Sequence, residues 1–203
     1  MSRAHTRGEG QDGAGRERAE HPLPAAHELA SGVLASLAER GERLAVAEYL
    51  TGGRLVAELT GVPGASRVVR GSVTAYATDL KESALGVDGA LLRERGAVDP
   101  QVAREMATGV RAVLCADWGV STTGVAGPEP QDGQPVGTVY VAVAGPRERV
   151  VAARLRVAQG LDRAAIRSVA VRGGLELLRS ELVAHTTGTT GNRPGGMDVC
   201  SPE

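Results

Sequence analysis

The chain contains 203 residues, of which 42% are hydrophobic, and its formal net charge is −1 at pH 7. This length is sufficient for one domain with a hydrophobic core and too short for two ordinary domains. Because the charge is nearly balanced, we expect the partner to be a small molecule and not nucleic acid. The N-terminus is polar and no apolar run reaches roughly 20 residues, so we expect a soluble cytoplasmic protein that binds no membrane.

Both ends of the chain differ in composition from its middle. Residues 1–24 are rich in Gly, Arg, Glu and Asp, and residues 186–203 are rich in Gly, Thr and Pro. Segments of this kind bury too little apolar surface to offset their chain entropy, so we predict disordered tails. The domain is expected at residues 25–185.

The first half of the domain alternates helical and extended patterns. Leu29, Val33, Leu34 and Leu37 recur at three- and four-residue spacing, which predicts a helix over residues 25–39 that ends near Gly41. The segments that follow are predicted as a strand at 44–47, a turn opening a helix at 51–60, a turn at 62–66, one or two strands at 67–77 and a short helix at 79–85.

The second half continues the alternation after a predicted turn at Asp99-Pro100. A helix is expected at residues 101–115, with Val102, Met106, Val110 and Val113 on one side. The remaining predictions are strands at 118–122, 137–144 and 149–157, a Gly/Pro loop at 124–134 and a last helix at 162–182. The pattern favours a mixed, helix-covered sheet in a single α/β domain.

Three segments with unusual residues lie where a strand gives way to a loop or helix: AEYLTGG at 47–53, YATDLK at 76–81 and TTGVAGP at 122–128. Ligands of α/β proteins collect at such strand ends. The Thr51-Gly52-Gly53 turn either points backbone N–H groups at an anion or is a capped helix start packed through its glycines. The third segment is either a ligand loop or an ordinary Gly/Pro connection.

Lys81 is the only lysine in the chain, since the other 22 of the 23 basic residues are arginines. A buried lysine can lose its proton and act as a base, whereas arginine cannot. The alternative explanation is a surface lysine without a function that is present by chance. Tyr76, five residues earlier, would converge with it on one point if the turn between them folds back; the alternative is an amphipathic tyrosine at the rim of the domain. Cys115 and Cys200 lack metal or redox spacing.

Seven segments follow one another along residues 25–184: AEYLTGG, VPGAS, YATDLKESALGV, GAVDPQVAREMATG, TGVAGP, PVGTV and DRAAIR. Together they resemble the C-terminal domain of the competence-damage-inducible protein (CinA) family, the nicotinamide-mononucleotide amidohydrolases. The resemblance implies a three-layer α/β/α domain that hydrolyses the carboxamide of nicotinamide mononucleotide to nicotinic acid mononucleotide and ammonia. It also implies a homodimer or larger homo-oligomer, and neither a metal nor another cofactor.

The resemblance assigns catalytic roles to Lys81, Tyr76 and Thr123, which match the family's lysine, tyrosine and threonine. The family's first motif is typically A-E-S-x-T-G-G, and its nucleophilic serine falls on Tyr49. A phenol is bulkier than a serine side chain and is expected to fill the space that a substrate amide needs. Losing such a nucleophile lowers rates by on the order of 10³ to 10⁶, so hydrolysis is expected to be reduced or lost.

Substrate binding is expected from two glycine loops and two further positions. The residues concerned are Thr51, Gly52, Gly53, Thr78, Gly124, Ala126, Gly127 and Arg163. Thr78 stands where the family usually has asparagine, which puts recognition of the carboxamide in doubt. Arg163 and Arg167 match the family, and they either neutralise a 5′-phosphate or belong to a solvated helix face.

Two functions therefore remain open at this point. In the first, the chain is an amidohydrolase of reduced activity in which Lys81 and Tyr76 act as base and proton partner. In the second, it is a non-catalytic nucleotide-binding or protein-interaction homologue that has kept the pocket.

Overall fold

Five strands and six helices lie along residues 25–187, the part of the chain that the computed structural model describes. In chain order they are α1 Ala26–Arg40, β1 Leu44–Glu48, α2 Arg54–Thr60, β2 Val69–Thr74, α3 Thr78–Leu85, α4 Gly89–Arg95, α5 Pro100–Val113, β3 Trp118–Gly124, β4 Val139–Ala144, β5 Val150–Arg154 and α6 Arg163–Thr187. The predicted disordered segments lie outside the described residues, except that α6 continues past residue 185 to Thr187.

The five strands form one mixed sheet in the order β2-β1-β3-β4-β5. β1 runs parallel to both of its neighbours, whereas β3 with β4 and β4 with β5 are antiparallel. β1 and β3 are buried along their whole length, as expected of parallel strands that are covered on both faces. The prediction of a mixed, helix-covered sheet is therefore confirmed.

Helices cover the sheet on both sides, which makes three layers. On one side α1, α2 and α6 pack around a core that includes Leu34, Leu55 and Leu175. On the other side α3 and α5 contribute Leu85 and Met106 to a second core. The α/β/α architecture implied by the family resemblance is thus the observed one.

Helix α5 shows how local sequence sets an element's limits. The Asp99 carboxylate accepts the N–H groups of Gln101 and Val102 at 2.6 and 3.4 Å, and Pro100 occupies the first helical position. The predicted turn at Asp99-Pro100 is therefore a helix start, where proline's missing N–H costs nothing. The prediction that Val113 lies on the same side of α5 as Val102, Met106 and Val110 is wrong, because Val113 is the last residue of the helix and is 55% exposed.

Helix α4 was not predicted from the sequence. It begins after Asp88, whose carboxylate accepts the Ala90 N–H at 2.7 Å, and Leu92 is the one large apolar side chain that it buries. A single buried leucine gives no periodicity to detect. Between residues 25 and 187, no helix combines the length and apolar character needed to cross a membrane.

Candidate functional site

The three unusual segments meet at the carboxyl edge of the parallel strands. Glu48, at the end of β1, lies beside Thr74 on β2 and Thr122 on β3. The Tyr49 N–H extends this pairing by donating to the Thr122 carbonyl at 3.0 Å. The strand order therefore brings the segments together at the kind of edge where α/β proteins bind ligands.

Lys81 lies in α3 with its side chain fully buried. Its Nζ is 3.1 Å from Met106 Sδ, 3.4 Å from Thr123 Oγ1 and 3.9 Å from the centroid of the Tyr49 ring. Among the described residues, no carboxylate forms an ion pair with this amine. Because burial removes water from the ammonium and no anion replaces it, the pKa of Lys81 falls from 10.5 to about 7. A substantial share of the amine is therefore neutral at pH 7 and able to accept a proton.

Thr123 sits on β3 with its hydroxyl between two polar groups. The hydroxyl donates to the Ala97 carbonyl oxygen at 2.7 Å, and its own oxygen accepts from Lys81. Since the single hydroxyl proton is directed at Ala97, Thr123 acts as an acceptor that orients the amine.

Tyr49 covers the amine. It is 8% exposed, and the face of its ring lies against Lys81 as a cation–π contact. Its phenol oxygen points to Gln131, donating to Oε1 at 2.9 Å and accepting from Nε2 at 2.5 Å. The ring thus separates Lys81 from solvent, and the phenol hydrogen bonds to the loop that follows β3.

Tyr76 does not contact Lys81. The Tyr76 side chain is 57% exposed, and its phenol oxygen accepts from Arg163 Nη2 at 2.9 Å. Its ring lies 5.9 Å from that of Tyr49, centroid to centroid. The expected pairing of Tyr76 with the amine is therefore absent, because the side chain turns outward from the start of α3 while Lys81 points into the core.

Glu48 is a buried residue that the sequence analysis did not single out. Its carboxylate accepts the N–H groups of Gly53, Leu55 and Val56 at 2.9, 3.1 and 2.9 Å at the start of α2. Thr51 does not cap this helix: Gly53 is the N-cap residue, and its N–H already has an anionic partner in Glu48. A lone acid at the end of an apolar strand, directly before a helix, was the signal that could have revealed this contact.

Thr51 instead serves the contact between strands. Its hydroxyl lies 2.7 Å from that of Thr122, and both residues are fully buried. Each hydroxyl therefore has a partner inside the protein, and this pair ties the loop after β1 to β3.

Two arginines one turn apart on α6 hold the three segments together. Arg163 donates to the Gly127 carbonyl at 2.5 Å and to the Tyr76 phenol. Arg167 donates to the Thr51 carbonyl at 2.6 Å, while its Nε is buried without a partner among the described residues. Helix α6 thus contacts each segment through a guanidinium group.

The glycines of the loops have packing roles. Gly52 has φ +57°, and a Cβ there would lie 3.2 Å from Arg167 Nη2. A Cβ on Gly124 would lie 2.6 Å from the Thr138 carbonyl oxygen, so β3 and β4 approach closely only because this residue is glycine. Thr78 is the first residue of α3 and is half-buried.

An open cleft of about 970 Å³ lies beside the third segment. We name it the β5–α6 cleft; residues 126–128, 135–138 and 154–163 line it together with Ile166. Ala126 and Gly127 therefore face this cleft. No group of three or more His, Cys, Asp or Glu side chains within residues 25–187 is arranged to hold a metal ion.

Proteins of known sequence resemble this domain closely. A family model described as the CinA C-terminal domain matches residues 26–182. A CinA-like protein from Gloeobacter violaceus is 51% identical over 157 residues, which are 76% of this chain and 36% of that protein. A CinA-like protein from Frankia casuarinae is 49% identical over 150 residues, 74% of this chain and 34% of that one. The chain therefore spans about a third of the length of these relatives.

Solved structures give the same result. Competence/damage inducible protein CihA from Agrobacterium tumefaciens matches with a TM-score of 0.74 and 33% identity, covering 78% of this chain and 96% of that one. A CinA superfamily protein from Klebsiella pneumoniae matches with a TM-score of 0.74 and 32% identity, covering 79% and 99%. Family model, sequence relatives and solved structures agree over the same region, and the chain belongs to the CinA C-terminal domain family.

Proposed function

We propose that this chain binds nicotinamide mononucleotide at the three-segment site, and that the Tyr49 ring keeps the carboxamide away from Lys81 and so suppresses its hydrolysis. The observation that carries the proposal is the position of Lys81: a buried amine with a lowered pKa lies against the face of the Tyr49 ring. Such an amine is suited to act as a base, and the ring covers it.

Hydrolysis by the family's mechanism requires a nucleophile that the base can deprotonate. The acyl intermediate forms when a hydroxyl oxygen attacks the carboxamide carbon, ammonia leaves, and water then resolves the ester. Here Lys81 contacts the ring face of Tyr49, while the phenol oxygen is hydrogen-bonded to Gln131. The base and the oxygen at the proposed nucleophile position are therefore not paired.

The neighbouring hydroxyls do not supply a replacement. The Thr123 proton is directed at the Ala97 carbonyl, and the hydroxyls of Thr51 and Thr122 bond to each other. A water molecule activated by Lys81 would have to enter a space that the Tyr49 ring closes, since the amine has no exposed surface. We therefore expect little or no ammonia release from the unaltered chain.

The test compares the unaltered protein with Tyr49→Ser, Tyr49→Ala and Tyr49→Ser/Lys81→Met. Ammonia release from nicotinamide mononucleotide is expected to rise by roughly 10³-fold or more in Tyr49→Ser alone, because only this variant has both a hydroxyl nucleophile and its base. Tyr49→Ala is the matched control that opens the same space without a hydroxyl. Equal, substantial rates in all four proteins would contradict the proposal.

Binding is measured separately by calorimetry, because the proposal assigns the unaltered chain a ligand and not a rate. Nicotinamide mononucleotide is expected to bind both the unaltered protein and Tyr49→Ser. Neither binding nor ammonia release in either protein would favour the interaction homologue, in which the domain contacts another protein.

A further inference from the structure

The β5–α6 cleft adjoins the three-segment site and shares residues with it. Ala126 and Gly127 line the cleft, as does Arg163, whose guanidinium also donates to Tyr76. A volume of about 970 Å³ lies at the upper end of the range for small-molecule pockets. A ligand with one end near Tyr76 therefore has room to extend its other end into the cleft.

The cleft lining is positively charged. It contains Arg154, Arg156 and Arg163 and one acidic residue, Asp162, so three positive charges against one negative leave a surplus of two. The Asp162 carboxylate already accepts the Ala165 N–H at 2.7 Å. Among residues 25–187, no carboxylate forms an ion pair with any of the three guanidinium groups. This surplus is local, since the whole chain has a formal net charge of −1.

The rest of the lining is suited to a sugar or a flat ring. Leu155, Val157 and Ile166 give the cleft apolar surface. Thr138 also lines it, is 2% exposed, and has a hydroxyl that finds no partner in the described part of the chain. A pocket with apolar walls and a few polar groups binds a ligand that has a compact organic body and a charged end.

We infer that the cleft binds the phosphate monoester of a mononucleotide through Arg154 and Arg156, an inference that rests on the proposed function. Arg154 and Arg156 both line the cleft and are two positions apart in the chain. Guanidinium groups match phosphate, which accepts paired hydrogen bonds on several oxygens. Binding a nucleic-acid backbone requires an extended basic surface, and a chain with a formal net charge of −1 has no large excess of positive charge to form one. Arg163 lies between the cleft and Tyr76 and bridges the two ends of the ligand.

The experiment measures binding of nicotinamide mononucleotide, nicotinamide riboside, ribose 5-phosphate and inorganic phosphate by calorimetry at low ionic strength. The proteins are the unaltered chain, Arg154→Gln/Arg156→Gln, and Arg93→Gln as a control. Arg93 is an exposed arginine on α4 that does not line the cleft. The double variant is expected to bind the mononucleotide and ribose 5-phosphate roughly tenfold or more weakly, with affinity for the riboside unchanged. Arg93→Gln should match the unaltered chain.

The two proposals fail differently. Loss of ribose 5-phosphate binding in the double variant supports the cleft inference even if nicotinamide mononucleotide binds the unaltered chain no more tightly than ribose 5-phosphate does. That second result would contradict the proposed function alone, because the nicotinamide end would then make no contact. Inorganic phosphate bound more tightly than ribose 5-phosphate would overturn the mononucleotide assignment. Equal ribose 5-phosphate affinity in the unaltered chain and the double variant, or none in the unaltered chain, would overturn the cleft inference.

Discussion

Replacing Lys81 by Met should remove a specific pH dependence of stability. The folded protein lowers the pKa of Lys81 from 10.5 to about 7 because the amine is buried. Between these two pH values the unfolded chain keeps a proton that the folded protein has released. The unfolded state then binds more protons, so stability rises with pH across the window and is flat below it. Methionine has a similar shape, and it carries no proton to release.

The magnitude follows from the two pKa values. Between pH 7.5 and pH 9.5, the lysine should raise the free energy of unfolding by roughly 2 to 3 kcal/mol, because each pH unit of full difference in protonation contributes somewhat more than about 1 kcal/mol. Other groups titrate in both proteins, so the quantity to compare is the change in the unaltered chain minus the change in Lys81→Met. The unaltered chain should gain more stability on going to the higher pH.

Urea denaturation at the two pH values, under reducing conditions, measures this difference. A second measurement uses the fact that Lys81 is the only lysine. Protein labelled with ¹³C-lysine should give one side-chain Cε resonance that titrates near pH 7. Parallel stability profiles for the two proteins, together with a resonance that titrates near 10.5, would refute the reasoning that burial without an anion neutralises the amine.

Three further changes test other contacts of the structure. Tyr49→Ser should raise the pKa of Lys81 toward its ordinary value, because water reaches the amine; an unmoved ¹³C-lysine titration would show that the ring does not seal it. Glu48→Ala should lower the free energy of unfolding by about 3 kcal/mol, because three N–H groups lose their acceptor, and Glu48→Gln should lower it by less. Equal losses of the two variants in urea denaturation would exclude a role for the charge. Gly109→Ala should lower the free energy of unfolding by about 2 kcal/mol or more, because its Cβ would overlap the Leu85 carbonyl oxygen. Gly32→Ala, in open space on α1, should raise the free energy of unfolding by about 0.5 to 1 kcal/mol. Thermal denaturation distinguishes the two variants, and similar melting temperatures would contradict the close packing of α3 on α5.

Much of the architecture could be predicted because its signals are local. Leu29, Val33 and Leu37 place one face of α1 in the core at helical spacing, and Gly41 ends the helix with φ +65°. The apolar segments of β1 and β3 are strands, as predicted. Helix α4 was not predicted because it buries only one large apolar side chain, and a single such residue produces no helical periodicity in the sequence.

The sequence by itself determined where the unusual residues stand along the chain: at the ends of strands, with one lysine among them. It did not determine which residues touch. Lys81 meets Met106 and Thr123, residues 25 and 42 positions away, because α3 packs against α5 and β3. The anion at the start of α2 is the protein's own Glu48, and Tyr76 pairs with an arginine of α6. Contacts between residues so distant in sequence depend on how the layers pack, and only the tertiary structure decides that packing.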